Sequence, residues 1–267
     1  MPLTLWKGFW EVNFQHELWK TAGILESGTI AALTPGVRLA ARHAPPFVLF
    51  ILATSLPLSV RATTSGVAVA DNSIKQFLAQ DHTQRPYKAS RRLEAANGDR
   101  TGWVEAVTEY SHGQGFTYEV TSEGGSEYIR NKVLRAVLEA ERNAIMAGEA
   151  AVAALADTNY IFEPDGIDAD GLATIRLSPK RKERMLVAGM MFLDPDDGAL
   201  VRLQGRLAKS PSFWVKGVQI VRSYQRINNV VLPVKMETHA RLRLLGPATL
   251  RMTYAYSEID GHRVASR

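Results

Sequence analysis

Between Leu172 and Ser257 apolar and polar side chains alternate in one stretch after another, and this two-residue period constrains the fold more than any other feature. Successive side chains of a strand point to opposite faces, so such alternation sets one face on an interior and the other in water. Ala199, Val201, Leu203 and Leu207 alternate with Arg202, Gln204 and Arg206. Leu232, Val234, Met236, Ala240 and Leu242 alternate with Lys235, Glu237, His239, Arg241 and Arg243. Leu250, Met252, Tyr254 and Tyr256 alternate with Arg251, Thr253 and Ser257. Phe213 to Ser223 reads as a further strand, and the nearly unbroken apolar run from Met185 to Leu193 as a strand covered on both faces. The charged residues between Pro179 and Leu244 read as a solvated face.

Upstream the pattern is a helix and then a meander. Asp71-Asn72-Ser73 offers N-cap residues for a short helix carrying Ile74, Phe77 and Leu78, which ends before Pro86. Tyr87 to Ala96, Trp103 to Tyr110 and Phe116 to Val120 read as strands, joined at Asn97-Gly98-Asp99 and His112-Gly113-Gln114-Gly115. From Glu127 the period changes. Ile129, Val133, Leu134, Val137, Leu138, Ile145 and Met146 recur at helical spacing, which predicts an amphipathic helix packed on the sheet, with an Ala-rich short helix or bend from Glu149 to Ala156. Tyr160 to Phe162 and Leu172 to Leu177 flank a turn from Pro164 to Gly171. About ten consecutive antiparallel strands must curl to manage their edges. The expected class is α+β: a strongly curved antiparallel sheet, or half-open β-barrel, with two or three helices covering its concave side.

The front of the chain differs in composition. Residues 47–60 form the most apolar run, 14 residues containing Pro57. A spanning helix needs about 20. Arg38, Arg42 and His43 precede the run, and Val60-Arg61-Ala62 follows with small or aliphatic residues at the −3 and −1 positions of a cut after Ala62. Positive flank, short apolar core and small-residue site read as a secretory signal peptide over 37–62, hence export. A buried core helix and a retained anchor are the alternatives. Residues 1–36, with Trp6, Trp10 and Trp19, form an extension; Val37 begins a well-formed signal of its own, which places the start of translation at or near it. The rival reading makes residues 3–25 an amphipathic surface helix. Residues 63–267 are then the mature domain.

Chemistry is hard to find in it. There is no cysteine, which excludes disulfides, thiolate metal ligands, thiol catalysis and N-terminal lipoprotein acylation. The six histidines have no ligand spacing, so no metal is expected. Asp165 to Gly171 resembles a calcium loop only superficially: with Gly171 at position six of an EF-hand frame, Gly166 and Leu177 occupy the first and twelfth positions, where ligands are needed. Asp194-Pro195-Asp196-Asp197-Gly198 is turn chemistry. No nucleophile elbow, phosphate loop or dinucleotide fingerprint is present, so neither catalytic residues nor a cofactor are expected. A net charge of +5 is spread along the chain, and the one tight basic run, Lys180-Arg181-Lys182, reads as a solvated turn rather than a nucleic-acid site.

The interior remains. Met185, Met190, Met191, Met236 and Met252, with Tyr254 and Trp214, are proposed to face it, and methionine repacks around variable apolar shapes. Two arrangements need the same alternation: a fully packed core, or an apolar pocket for acyl chains. For the pocket, the candidate wall is Val201, Leu203, Val234, Met236, Leu242, Met252 and Tyr254.

The turns and strand ends of this region carry a resemblance. Pro179-Lys180-Arg181-Lys182, Gly189 to Leu193 running into Asp194-Pro195-Asp196-Asp197-Gly198, Val201-Arg202 with Gly205, Ser212-Phe213-Trp214, Tyr224 and Leu232-Pro233 resemble the periplasmic outer-membrane lipoprotein-sorting (LolA-like) superfamily over residues 71–260. The resemblance implies a half-open barrel with helices as a lid and a non-enzymatic carrier or lipid-sensing role in the periplasm. The implied ligand is the acyl chains of a lipoprotein or lipid. The alternative is a periplasmic sensor or interaction domain that binds an inner- or outer-membrane protein through the curved sheet. It assigns no ligand-binding residue. The long extension and the Ala-rich stretch depart from a minimal carrier.

Overall fold

The computed structural model describes residues 61–265 apart from Pro211, Ser212 and Trp214. The extension, nearly all of the signal segment, and Trp214 therefore lie outside the described residues. Helix α1 spans Arg61–Ala79 and is followed by β1 (Tyr87–Asn97), β2 (Arg100–Ser111) and β3 (Gly115–Gly125). Helix α2, residues 127–146, comprises a first turn at Glu127–Ile129, a π-helical turn at Arg130–Leu134 and an α-helix at Arg135–Met146; a 3-10 turn at Glu149–Ala153 follows. Then come β4 (Tyr160–Ile167), β5 (Ala173–Pro179), β6 (Val187–Leu193), β7 (Leu200–Leu207), β8 (Val215–Ile227), β9 (Val230–Leu242), β10 (Gly246–Ile259) and the short β11 (His262–Arg263).

All pairings are antiparallel, in the order β3-β2-β1-β10-β9-β8-β7-β6-β5-β4 with β11 on β10, a curved and unclosed eleven-stranded sheet. The expected α+β half-open barrel is what forms. β3 and β4, consecutive strands, are its two free ends, so the chain between them crosses the open side. That crossing is α2, which packs on β1, β2 and β3, while α1 packs on β4, β5 and β6. The two helices thus cover the concave face from opposite ends of the sheet.

β6 and β7 approach each other closely at Gly189 and Gly205, which face each other across the two strands. A Cβ on Gly189 would collide with the Gln204 carbonyl and Gly205 Cα, and one on Gly205 with the Ala188 carbonyl. Only glycine permits so close an approach of two backbones. The Asn228-Asn229 turn has both residues at positive φ, 48° and 62°, the twist a two-residue hairpin requires.

Two expectations need correction. Asp71, Asn72 and Ser73 do not cap α1; they lie inside it. Ser73 Oγ donates to the Val69 carbonyl at 3.0 Å and Lys75 pairs with Asp71 at 2.7 Å, both i, i+4 arrangements of a continuing helix. The buried stripe is Ala70, Ser73, Ile74 and Phe77, and its first half is made of small residues that hydrophobicity does not flag. Met146, assigned to the apolar stripe of α2, is 75% exposed, because the helix ends there and the chain turns at Gly148 (φ 66°). The second face of β6 has its own cover: buried Phe192 lies beneath the guanidinium of its cross-strand partner Arg202, 3.9 Å from ring centroid to Cζ.

Candidate functional site: an apolar cavity above a buried charge cluster

The turn at residues 194–198 seats α1. Asp194 Oδ1 accepts from Asp196 N–H and Asp197 Oδ1 from Ala199 N–H, each at 2.9 Å, which fixes an Asx-type turn. Gln80 Nε2 of α1 donates to the Asp197 carbonyl at 2.8 Å and Gln76 Nε2 to the Asp196 carbonyl at 3.3 Å. Gly198, at φ 72°, lies against Phe77 N and Ser73 O so closely that a Cβ would not fit. The acidic turn that carries the sequence resemblance therefore does mechanical work.

Above this seat is a cavity of about 630 Å³, within the roughly 300–1,000 Å³ of small-molecule pockets. It lies at the end of the sheet where β1 begins. Phe77 and the loop from Gln80 to Gln84 form one wall, Ile145, Gly148 and residues 154–156 the wall below α2, and Tyr110, Leu200, Tyr224 and Val231 the sheet side. His82 rests on Phe77, with ring centroids 4.4 Å apart, and its Nε2 is 2.8 Å from the Phe77 carbonyl. A second void of about 50 Å³ lies at the opposite end, between Tyr128, Ile129 and Val133 and the sheet residues Ala240, Leu242 and Leu250.

The seven candidate wall residues divide. Leu203, Met236, Leu242 and Met252 are fully buried in the core, and Val201, Val234 and Tyr254 are half-buried. Val201 sits at an irregularity where Leu193 pairs with Leu200 and Phe192 with Arg202. Among the seven, Leu242 lines the small void, and none lines the large cavity. Their inward-pointing rows run instead through the middle of the sheet, Leu203 beside Arg222, Met236 beside Met252 and Met252 beside Leu93.

That middle layer holds charge, which corrects the view of every charged residue in the region as solvated. Among the described residues the buried charged side chains are Arg91, Glu141 and Arg222. Arg91 of β1 meets Glu141 of α2 in a two-pronged pair, Nη1 to Oε2 at 2.5 Å and Nη2 to Oε1 at 3.1 Å, and Nη2 also donates to the Tyr87 hydroxyl. Its guanidinium lies 4.6 Å from the Tyr254 ring centroid and 5.0 Å from that of Phe116. Burial works against the Arg91 charge, but the Glu141 carboxylate holds its pKa well above the ordinary arginine value. Burial pushes the Tyr87 and Tyr254 hydroxyls up, so both stay protonated donors.

Arg222, 1% exposed, has no carboxylate oxygen within ion-pair distance among the described residues. Its Nη2 contacts Met236 Sδ at 3.5 Å, a weak acceptor, and its Nε has no partner. Burial opposes its charge; the Tyr224 and Tyr254 hydroxyls and Glu141 outweigh that and raise its pKa above the usual value.

A sequence signal for these three exists in their phase. Arg91 shares the inward register of Tyr87, Ala89, Leu93 and Ala95, and Arg222 that of Val218, Ile220 and Tyr224. Glu141 falls between Leu138 and Ala144 on the buried stripe of α2. Polarity at an inward position was the mark.

No family model matches this sequence, and no curated protein matches it. Among solved structures, the chain is similar to a LolA superfamily protein from Nitrosomonas europaea, with 7% identity over 74% of this chain and 94% of that one and a TM-score of 0.39. A DUF1329 family protein from Desulfovibrio piger aligns at 10% identity over 73% and 91%, TM-score 0.36. An outer membrane lipoprotein-sorting protein domain from Vibrio parahaemolyticus aligns at 10% over 76% and 93%, TM-score 0.33. At these scores and identities the likeness bears on neither ligand nor partner.

Proposed function

We propose that this protein is a non-enzymatic periplasmic carrier that takes up the acyl chains of a lipoprotein or lipid. The observation that carries the reading is the 630 Å³ cavity between the helices and the concave sheet, with Phe77, Tyr110, Ile145, Leu155, Leu200 and Val231 on its walls. Burial of each methylene contributes about 0.8 kcal/mol, so such a space gives useful affinity with no polar partner. The front of the chain, read as a signal peptide cut after Ala62, supports the compartment.

The test is saturable binding. The delipidated protein is titrated with a fluorescent fatty acid, and lipid extracted from the untreated protein is weighed by mass spectrometry. Leu200→Trp puts an indole into the cavity and is expected to weaken binding at least tenfold while the melting temperature holds. Absence of uptake by the wild type, or unchanged uptake by the tryptophan variant, overturns the reading.

A second reading, docking of the domain on a membrane-protein partner, is favoured by the far end of the sheet. Pairing of Val215 with Leu242 brings together loops bearing Phe213 and Leu244, which are 71% and 73% exposed. Retrieval of one membrane protein by the wild type but not by Phe213→Ser/Leu244→Ser, without lipid uptake by either, would establish it.

A further inference from the structure

The interior of this sheet is not electrically balanced. Arg91 and Arg222 face one carboxylate, Glu141, and that carboxylate is held through both oxygens by Arg91. Arg222 is left with a thioether and a neighbouring phenol, and with an Nε that donates to nothing. Desolvating a cation without a counter-ion costs several kcal/mol, and a guanidinium is the side chain best shaped to receive a planar oxyanion. The protein keeps it at an inward position where Leu203 and Met236 stand on either side.

The link to the cavity is Tyr224. This residue is on the sheet wall of the 630 Å³ space and next but one to Arg222 on β8, on the same face, and its hydroxyl is near enough to help hold the Arg222 charge. Arg222 does not itself line this space; it is buried behind the Tyr224 wall, without a carboxylate in ion-pair contact. Burial also pushes the hydroxyl of Tyr254 up, so this ring beside Arg222 stays neutral and brings no competing negative charge.

Building on the carrier reading, we propose that Tyr224 and, behind it, Arg222 form an anion subsite at the sheet wall of the cavity, and that the preferred occupant is a lipid with a free acid end: a long-chain fatty-acid carboxylate lying with its tail among Phe77, Ile145 and Leu200. The carboxylate accepts from the Arg222 guanidinium, including the unpartnered Nε, and from the Tyr224 hydroxyl. An ester or amide-linked chain has the same tail and cannot supply the charge, so the subsite discriminates free acids from acylated protein.

The test compares palmitate, hexadecanol and methyl palmitate as competitors for one fluorescent probe, on the full chain and on Arg222→Met and Tyr224→Phe. Charge-assisted hydrogen bonds are strong enough for the wild type to prefer palmitate over hexadecanol by about tenfold or more. Arg222→Met is expected to erase that preference and leave hexadecanol binding unchanged; Tyr224→Phe, which keeps the fold should the methionine variant fail to, is expected to reduce it several-fold. Equal affinity for all three in the wild type overturns the anion subsite and leaves the carrier reading standing. Failure of all three to bind overturns the carrier reading itself. A preference for palmitate that survives in Arg222→Met assigns the selectivity elsewhere and also refutes the subsite.

Discussion

Replacing Glu141 by glutamine probes the charge cluster most directly. The carboxylate is 8% exposed and its partner Arg91 2%, so water cannot take over from a lost oxygen charge. Glutamine keeps the shape and one acceptor but offers an N–H where Arg91 needs a second acceptor. Removing one partner of a buried pair costs about 3–5 kcal/mol, because the remaining charge stays desolvated. Rings at 4.6 and 5.0 Å soften this, since a desolvated cation–π contact returns about 2 kcal/mol. A net loss of about 1–3 kcal/mol follows. In a domain of this size each kcal/mol is worth roughly 2–4 °C, so the melting temperature should fall by about 2–12 °C. The assay is thermal and urea unfolding of Glu141→Gln beside the double variant Arg91→Met/Glu141→Leu. With both charges gone and volume kept, the double variant is expected to be near the wild type or above it. A single variant within about 1 kcal/mol of the wild type, or a double variant worse than the single, would refute the view that an uncompensated cation is the origin of the cost.

Two further outcomes are specific. Gly189→Ala forces a methyl into the Gln204 carbonyl, and is expected to lose at least about 4 kcal/mol or fail to fold, whereas Gly217→Ala, which meets nothing within 4 Å, should be close to neutral in the same unfolding assay. Burial pushes the Tyr160 hydroxyl, acceptor of the Val187 N–H, up to about 12 from an ordinary 10. Between those two values the unfolded chain binds fewer protons than the folded one, so stability present below pH 10 is lost as pH rises toward 12, by roughly 3 kcal/mol for this group. Urea unfolding at stepped alkaline pH checks it, with a flat profile in that window as the contrary result.

Much of this architecture is legible before any fold is seen. The alternation from Leu250 to Tyr256 yields β10 with the same residues inward, and the Asn97-Gly98 signal falls at the hairpin turn between β1 and β2. The start of α1 is not legible, because Ala70 and Ser73 are buried for being small enough to sit against the sheet, a property of the partner surface. Met146 continues the period of α2, but the helix stops beneath it, and periodicity does not report where a neighbour ends.

The candidate site shows the division most clearly. Alternation alone determined that Met236, Met252 and Leu203 face inward, because a strand's period is a local property of covalent geometry. Arg91 is in phase with Tyr87 and Leu93, and Arg222 with Ile220 and Tyr224, so the same period holds both on the inward face. Tertiary structure decided the rest. Antiparallel order brought β1 beside β10, so that Arg91 stacks on Tyr254; the crossing of α2 over the open side delivered Glu141 into direct contact with Arg91 and not with Arg222. Whether space is left between two apolar surfaces depends on how far apart α1 and α2 are held. That distance is fixed by the Asp194–Gly198 seat and the Arg91–Glu141 pair, contacts between residues far apart in the chain, and no local pattern encodes it.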